Sequence, residues 1–333
     1  MKYLILIVCV IFIGFSHAEK SKDIQKTVTT GIYVTSIYDL NLEQHYFGVE
    51  FWQWFVYRKE YKNKYNYNPI NSVHLLDVYN SEYNEEYLKI DTSLKNDIYV
   101  LRKISAKVRN DFDVNDFPFD KQVLKLRFED AESELKKLKF NIEETAFSKP
   151  GIDTDIKIDG IIIKSEFNTA HETHQYQNNF GNPKNLQNKD VFDRIVATIN
   201  IRREVGFLFL KLFTGLYVSL LISLLSFLIS PRDINTRFSL PVGGLFAAVS
   251  NKYFVDGLLP KVNSMTFSDL IHSFTFVSIF LIIFSSVINI YFLPSEPVHE
   301  KYKIRPNDLK AFIIILSFYI IVNLFFILKA ILG

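Results

Sequence analysis

Residues 236–258 read TRFSLPVGGLFAAVSNKYFVDGL. The stretch is long enough to cross a bilayer as a helix but is not composed like a helix that faces lipid. It carries Arg237, Asn251, Lys252 and Asp256, with Pro241, Gly243 and Gly244 in its interior. Such a helix is tolerated in a membrane where neighbours shield it and one face meets water. Its sequence neighbours suit that shielding role. Segments 205–229, 270–293 and 311–328 are apolar over lengths that span a ~30 Å hydrocarbon core. Lys211 is the one charge in the first, His272 the only ionisable group expected to titrate near neutrality in the second, and the third is uncharged. Residues 205–333 therefore read as a four-helix transmembrane domain with one special helix.

The special helix has a distinct face. Advancing about 100° per residue from Ser239, the positions Gly243, Phe246, Ser250, Tyr253 and Gly257 all return to within about 40° of it. This face is small or polar, with aromatic interruptions. Lys252 and Asp256 fall away from it and one turn apart, where they can pair with each other or with a neighbouring helix. Near its end the segment carries Asp256, and Asp233 stands just before its start.

Upstream, the chain changes character. Residues 1–18 have the layout of a secretory signal peptide: Lys2, an apolar run, then Ser16-His17-Ala18. An uncleaved anchor is the alternative. Residues 19–204 lack a long helical stripe and show short β-type runs at 31–38, 46–57, 98–109, 121–128, 138–142, 161–167 and 191–201, separated by turn signals such as Lys149-Pro150-Gly151. About ten strands at this spacing predict an all-β sandwich. With that domain exported, the basic residues Arg232, Lys301, Lys303, Arg305 and Lys310 lie in connections that face inward, as the positive-inside tendency favours. The expected location is the cell (inner) membrane, multi-pass, with the N-terminal domain in the periplasm or extracellular space.

Composition narrows the function. The chain has 333 residues, 48% hydrophobic and 22% charged, with 38 Lys and Arg against 36 Asp and Glu. A net charge of +2 gives no footprint for nucleic acid. The single cysteine, Cys9, excludes internal disulfides and cysteine-rich metal centres. No nucleotide-binding glycine loop, G-x-S-x-G or H-E-x-x-H occurs, so no enzyme class and no cofactor is indicated. His171 and His174 read as a surface pair rather than metal ligands. Asp153, Asp155 and Asp159 are similar to part of a calcium loop without its terminal glutamate. They leave Ca2+ modulation as an alternative to a solvated loop.

One motif is more specific. Residues 111–122 read DFDVNDFPFDKQ, and the Phe-Pro-Phe-Asp-x-Gln core resembles the signature loop of pentameric ligand-gated ion channels, the Cys-loop receptor superfamily. The positions of the family's two cysteines fall on Asn110 and Leu124, so the disulfide is absent, as in the bacterial branch. Tyr38-Asp39-Leu-Asn-Leu-Glu-Gln44, Phe51-Trp52-Gln53-Trp54, Arg202-Arg203 and Leu259-Pro260 stand where the family pattern has its first hairpin loop, the next strand, the entry to the first span and the end of the second helix.

The resemblance covers essentially the mature chain. It implies a homopentameric gated ion channel with the second span lining the pore through Ser239, Gly243, Phe246, Ser250, Tyr253 and Gly257. Phe246 stands where the family usually has a hydrophobic gate. It implies coupling between the β domain and the pore through Asp39, Phe117, Pro118, Phe119, Asp120, Arg202, Arg203 and Pro260. An agonist site between subunits would draw on Tyr67, Phe147, Tyr176 and Phe180 from one face and Trp54 from the neighbouring subunit, for an unknown small-molecule ligand; proton sensing is the other option. Asp233 and Asp256 tip selectivity slightly toward cations. The implied partners are four further copies of the chain, membrane lipid and permeant inorganic ions. A non-conducting membrane receptor with a β-sandwich sensor is the competing reading.

Overall fold

The computed structural model describes residues 26–130, 138–143, 149–178, 191–292 and 305–332. The expected signal peptide and the candidates Phe147 and Phe180 lie outside the described residues. The first region is β-rich. Its strands are β1 (Lys26–Asn41), β2 (Tyr46–Arg58), β3 (Val73–Leu75), β4 (Val78–Asp91), β5 (Asp97–Arg109), β6 (Lys121–Asp130), β7 (Leu138–Ile142), β8 (Gly151–Ile152), β9 (Ile161–Gln175) and β10 (Val191–Arg203). Two short helices, α1 (Lys59–Tyr65) and α2 (Pro69–Ser72), follow β2. One sheet runs β4-β5-β2-β1-β7, with β8 also on β1; the other runs β3-β6-β10-β9.

Alternation builds these sheets. Along β2, Phe47, Val49, Phe51, Phe55 and Tyr57 are buried while Glu50, Trp52, Trp54 and Val56 between them are half-buried. The inward rows of the two sheets share one core, where the Phe51 ring meets the edge of Phe128 on β6 at 5.5 Å. β1 pairs β7 in parallel and β2 antiparallel, which closes that sheet around the start of the chain. Every expected β run falls inside an observed strand. β4 has no counterpart among them. Its sequence is mostly polar, and a bulge between Val78 and Tyr83 breaks its register, with Asn80 and Ser81 at positive φ.

The second region is helical: α3 (Val205–Leu224) with a 3-10 turn at Leu225–Leu228, α4 (Ile234–Asp256), α5 (Phe267–Tyr291) and α6 (Pro306–Leu332). Segments Val205–Leu228, Phe267–Tyr291 and Pro306–Leu332 are long and apolar enough to cross a membrane. The chain thus combines a β-rich region with helices of membrane-spanning type. α4 is 23 residues long but far less apolar.

Local chemistry sets the helix ends. Asp233 caps α4, its carboxylate accepting from the Thr236 amide at 3.3 Å. Thr266 and Asp269 form a reciprocal capping box at the start of α5. α3 and α4 approach closely because Gly244 faces the buried Ser219 and Ser223; a β-carbon on Gly244 would sit 2.1 Å from Ser223 Oγ and 2.6 Å from the Ser219 carbonyl oxygen.

Candidate functional site

α4 divides into two stripes. Arg237, Pro241, Gly244, Ala248 and Val255 are buried against the other helices. Ser239, Gly243, Phe246, Ser250, Tyr253 and Gly257 are all exposed. Phe246 is 71% and Tyr253 75% exposed in the single chain. The hydroxyls of Ser239 and Ser250 donate back to the carbonyls of Asn235 and Phe246, at 2.6 and 2.9 Å. Their oxygens still have lone pairs free to accept from water.

Between the stripes, polar groups fix the rotation of α4. Lys252 pairs with Asp256 on its own helix and with Asp269 on α5, the two alternatives read from the sequence occurring together. Asp256 remains exposed. Asn251 Nδ2 donates to the Leu212 carbonyl on α3 at 2.9 Å, and its Oδ1 lies 3.0 Å from His272 Nε2 on α5. A residue polar enough to look misplaced in a span therefore ties three helices together.

The loop 110–120 meets the helices directly. Phe117 and Pro118 are buried, and Phe119 lies between Phe209 on α3, at 5.7 Å, and Phe267 on α5, at 5.3 Å. Asp120 is 3% exposed and accepts from Arg203 Nε at 2.8 and 3.1 Å and from Gln122 at 2.6 Å. Arg203 also stacks over Phe117, 5.2 Å from its centroid. Arg202 points to the exposed side, and Pro260 is buried at the end of the α4 helix.

Asp39 behaves differently from the expectation. It bonds Lys107 and the Tyr46 hydroxyl, both at 3.0 Å, inside the β-rich region, instead of joining the arginines before α3. The Lys107 hydrogen bond holds its carboxyl below the usual range. Lys107 in turn also reaches Glu82, and both carboxylates push its ammonium well above its ordinary value.

The aromatic ligand candidates scatter. Tyr67 is a core residue, 3% exposed, with its ring edge-on to Tyr57 at 5.4 Å. Trp54 lies across Gly31 of β1, and its Nε1 donates to Glu143 at 3.1 Å. Tyr176 is half-buried in a network: its hydroxyl donates to Glu129 at 2.9 Å and accepts from Arg194, which itself pairs with Glu129. Burial and the Glu129 carboxylate push the Tyr176 phenol up. Burial, the largest single influence on Arg194, pulls it down, but the Glu129 and Tyr176 contacts together outweigh that and leave it raised. Within one chain these three candidates occupy different surroundings.

The sequence matches no protein-family model and no curated protein.

The Asp153 carboxylate accepts from the Asp155 amide at 3.0 Å, a local turn bond, and no group of three His, Cys, Asp or Glu is gathered for a metal among the described residues. Asn115 was absent from the sequence candidates yet holds the junction. Its carbonyl accepts from the Phe267 amide at 2.7 Å and its Oδ1 from Ser264 at 2.9 Å. An asparagine in a polar loop has no local signal of such a role, since both partners come from about 150 residues downstream.

Two predictions follow from this junction. Asn115→Ala removes the Ser264 bond but keeps the backbone bond, so folding should survive with less than about 1 kcal/mol lost, as thermal melting against wild type would show. Asp120→Ala leaves Arg203 partly buried without its carboxylate, and a loss of about 3 kcal/mol in stability is expected. Asp120→Asn should retain the Gln122 contact and lose less; an Asp120→Asn protein that melts like wild type would count against the ion pair.

Proposed function

We propose that this chain is the subunit of a gated ion channel of the Cys-loop receptor type, with five copies surrounding a pore lined by α4. The observation that carries the reading is the exposed stripe of α4. Three long apolar helices make the surroundings a bilayer, and a stripe of serines and glycines has nothing to gain from lipid. Turned toward a five-fold axis, the same stripe meets water and its copies. On this reading α4 is a fourth span, and the β-rich region is a sandwich outside the membrane.

Several features support coupling in this arrangement. The loop that resembles the family signature is the one that contacts the helices, through Phe119 and Asn115. Asp120 and Arg203 then connect that loop to the strand leading into α3. A displacement of the sheets has a short mechanical route to the connection at the end of α4. The stimulus is a small molecule or protons acting on the β region.

The test is ion flux through the purified full-length protein in liposomes, scanned over pH, calcium and small amines, with reversal potentials in asymmetric salt. A gated current with a cation-leaning reversal potential supports the reading. Intact pentamers that stay silent under every condition favour a non-conducting receptor.

A further inference from the structure

Arg237 sits on α4 but its charge never reaches the exposed face. The side chain is fully buried, and its guanidinium forms a two-point ion pair with Asp308 at the start of α6. Nη1 lies 3.1 Å from Asp308 Oδ2, and Nη2 bonds Oδ1. Nη1 also donates to the Ile229 carbonyl, just past the 3-10 turn, at 3.0 Å. Asp308 Oδ1 accepts in addition from Asn289 Nδ2, near the end of α5, at 2.6 Å. One ion pair therefore joins the ends of all four long helices. Asp308 is itself 1% exposed.

Removing one partner from such a pair leaves a buried charge without compensation. A guanidinium on a long stem has an escape: it can turn until its head meets water. The water-facing side of α4 at this end carries the exposed residues Asn235, Thr236 and Ser239, within a turn of Arg237. Asp233, also exposed, stands at the same end. Asp308 is the acidic group that holds the Arg237 guanidinium inside the bundle.

We propose that Asp308 is a positioning residue that determines ion selectivity: by holding Arg237 inside the bundle, α6 withholds one positive charge per subunit from the mouth of the pore at Asp233. The inference rests on the reading of α4 as the pore helix. Five such charges form a ring, and a ring of guanidinium at a narrow mouth repels cations and admits anions. α6, which contributes nothing to the exposed stripe of α4, thus sets the charge seen by a permeating ion.

The experiment compares wild type, Asp308→Asn, Asp308→Glu, Arg237→Gln and the double variant Arg237→Gln/Asp308→Asn, each full-length in liposomes under a KCl gradient. Asp308→Asn is expected to lower the potassium-to-chloride permeability ratio by about fivefold or more. Asp308→Glu keeps the wild-type ratio, and the double variant restores it. A purely structural role moves melting temperature and leaves the ratio alone, so an unchanged ratio in folded Asp308→Asn overturns the proposal. Where Asp308→Asn does not fold, the double variant and Arg237→Gln decide: both keep the wild-type ratio if the charge is already withheld, and a rise in cation preference in either overturns it. A failure of the pore reading looks different, as silence in every protein including wild type.

Discussion

Phe246→Ala is expected to raise the basal flux of the unstimulated protein in liposomes by about tenfold or more, equivalent to about 1.4 kcal/mol removed from the closed state. The ring is 71% exposed in the single chain, and on the proposed reading it faces the pore axis. It lies at mid-length on the stripe, one turn beyond Gly243 and one turn before Ser250, both exposed. In the proposed five-fold assembly Phe246 is the one large, wholly apolar side chain of the six stripe residues, and an apolar ring at a narrow path excludes water. Alanine takes away both width and apolar surface. Phe246→Leu keeps enough of each to stay closed at rest. Flux in the absence of stimulus, measured for both variants against wild type, checks this; a Phe246→Ala protein as tight as wild type would remove the gate assignment.

Gly244→Ala is expected to be the most damaging single methyl in the helices. A β-carbon there meets Ser223 Oγ at 2.1 Å and the Ser219 carbonyl oxygen at 2.6 Å. The hydroxyl can rotate aside, but the carbonyl belongs to the backbone of α3, so the two helices have to separate. Overpacking of this kind costs about 3 kcal/mol, and melting should fall by roughly 10 °C. Gly243→Ala is the internal control. Nothing lies within 4 Å of a β-carbon at Gly243, so that variant should melt like wild type and change conduction alone. Ser223→Gly combined with Gly244→Ala should recover part of the loss. Equal melting of the two alanine variants would mean that α3 and α4 do not pack as described.

Much of this architecture is local information. Strand alternation along β2 and β5 has a period of two, and the apolar lengths of α3, α5 and α6 are written in consecutive residues, so composition and periodicity suffice to find them. The exposed stripe of α4 is likewise a property of one helix: residues that return every turn share a face whatever surrounds them. For that reason Ser239, Gly243, Phe246, Ser250, Tyr253 and Gly257 could be grouped from the sequence, and the structure exposes them together. The strand β4 escaped because its residues are mostly polar and its bulge destroys the alternation that would have marked it.

Tertiary structure decided the partners. Asp39 and Asp120 are both carboxylates near motifs of similar character, but chain path gives Lys107 to one and Arg203 to the other. Tyr67 looks like a binding aromatic until packing encloses it. Arg237 and Asp308 are 71 residues apart, and Asn115 and Ser264 are 149 apart. Hydrogen bonds and ion pairs act over a few ångströms of space, and sequence spacing carries no trace of them once the chain has to turn back between the two ends. The sequence by itself determined the alternating strands, the four long helices and which face of α4 is polar, but not β4 or the two short helices. The fold alone determined which buried charge is held by which helix, because that depends on bringing distant residues within reach while water is excluded.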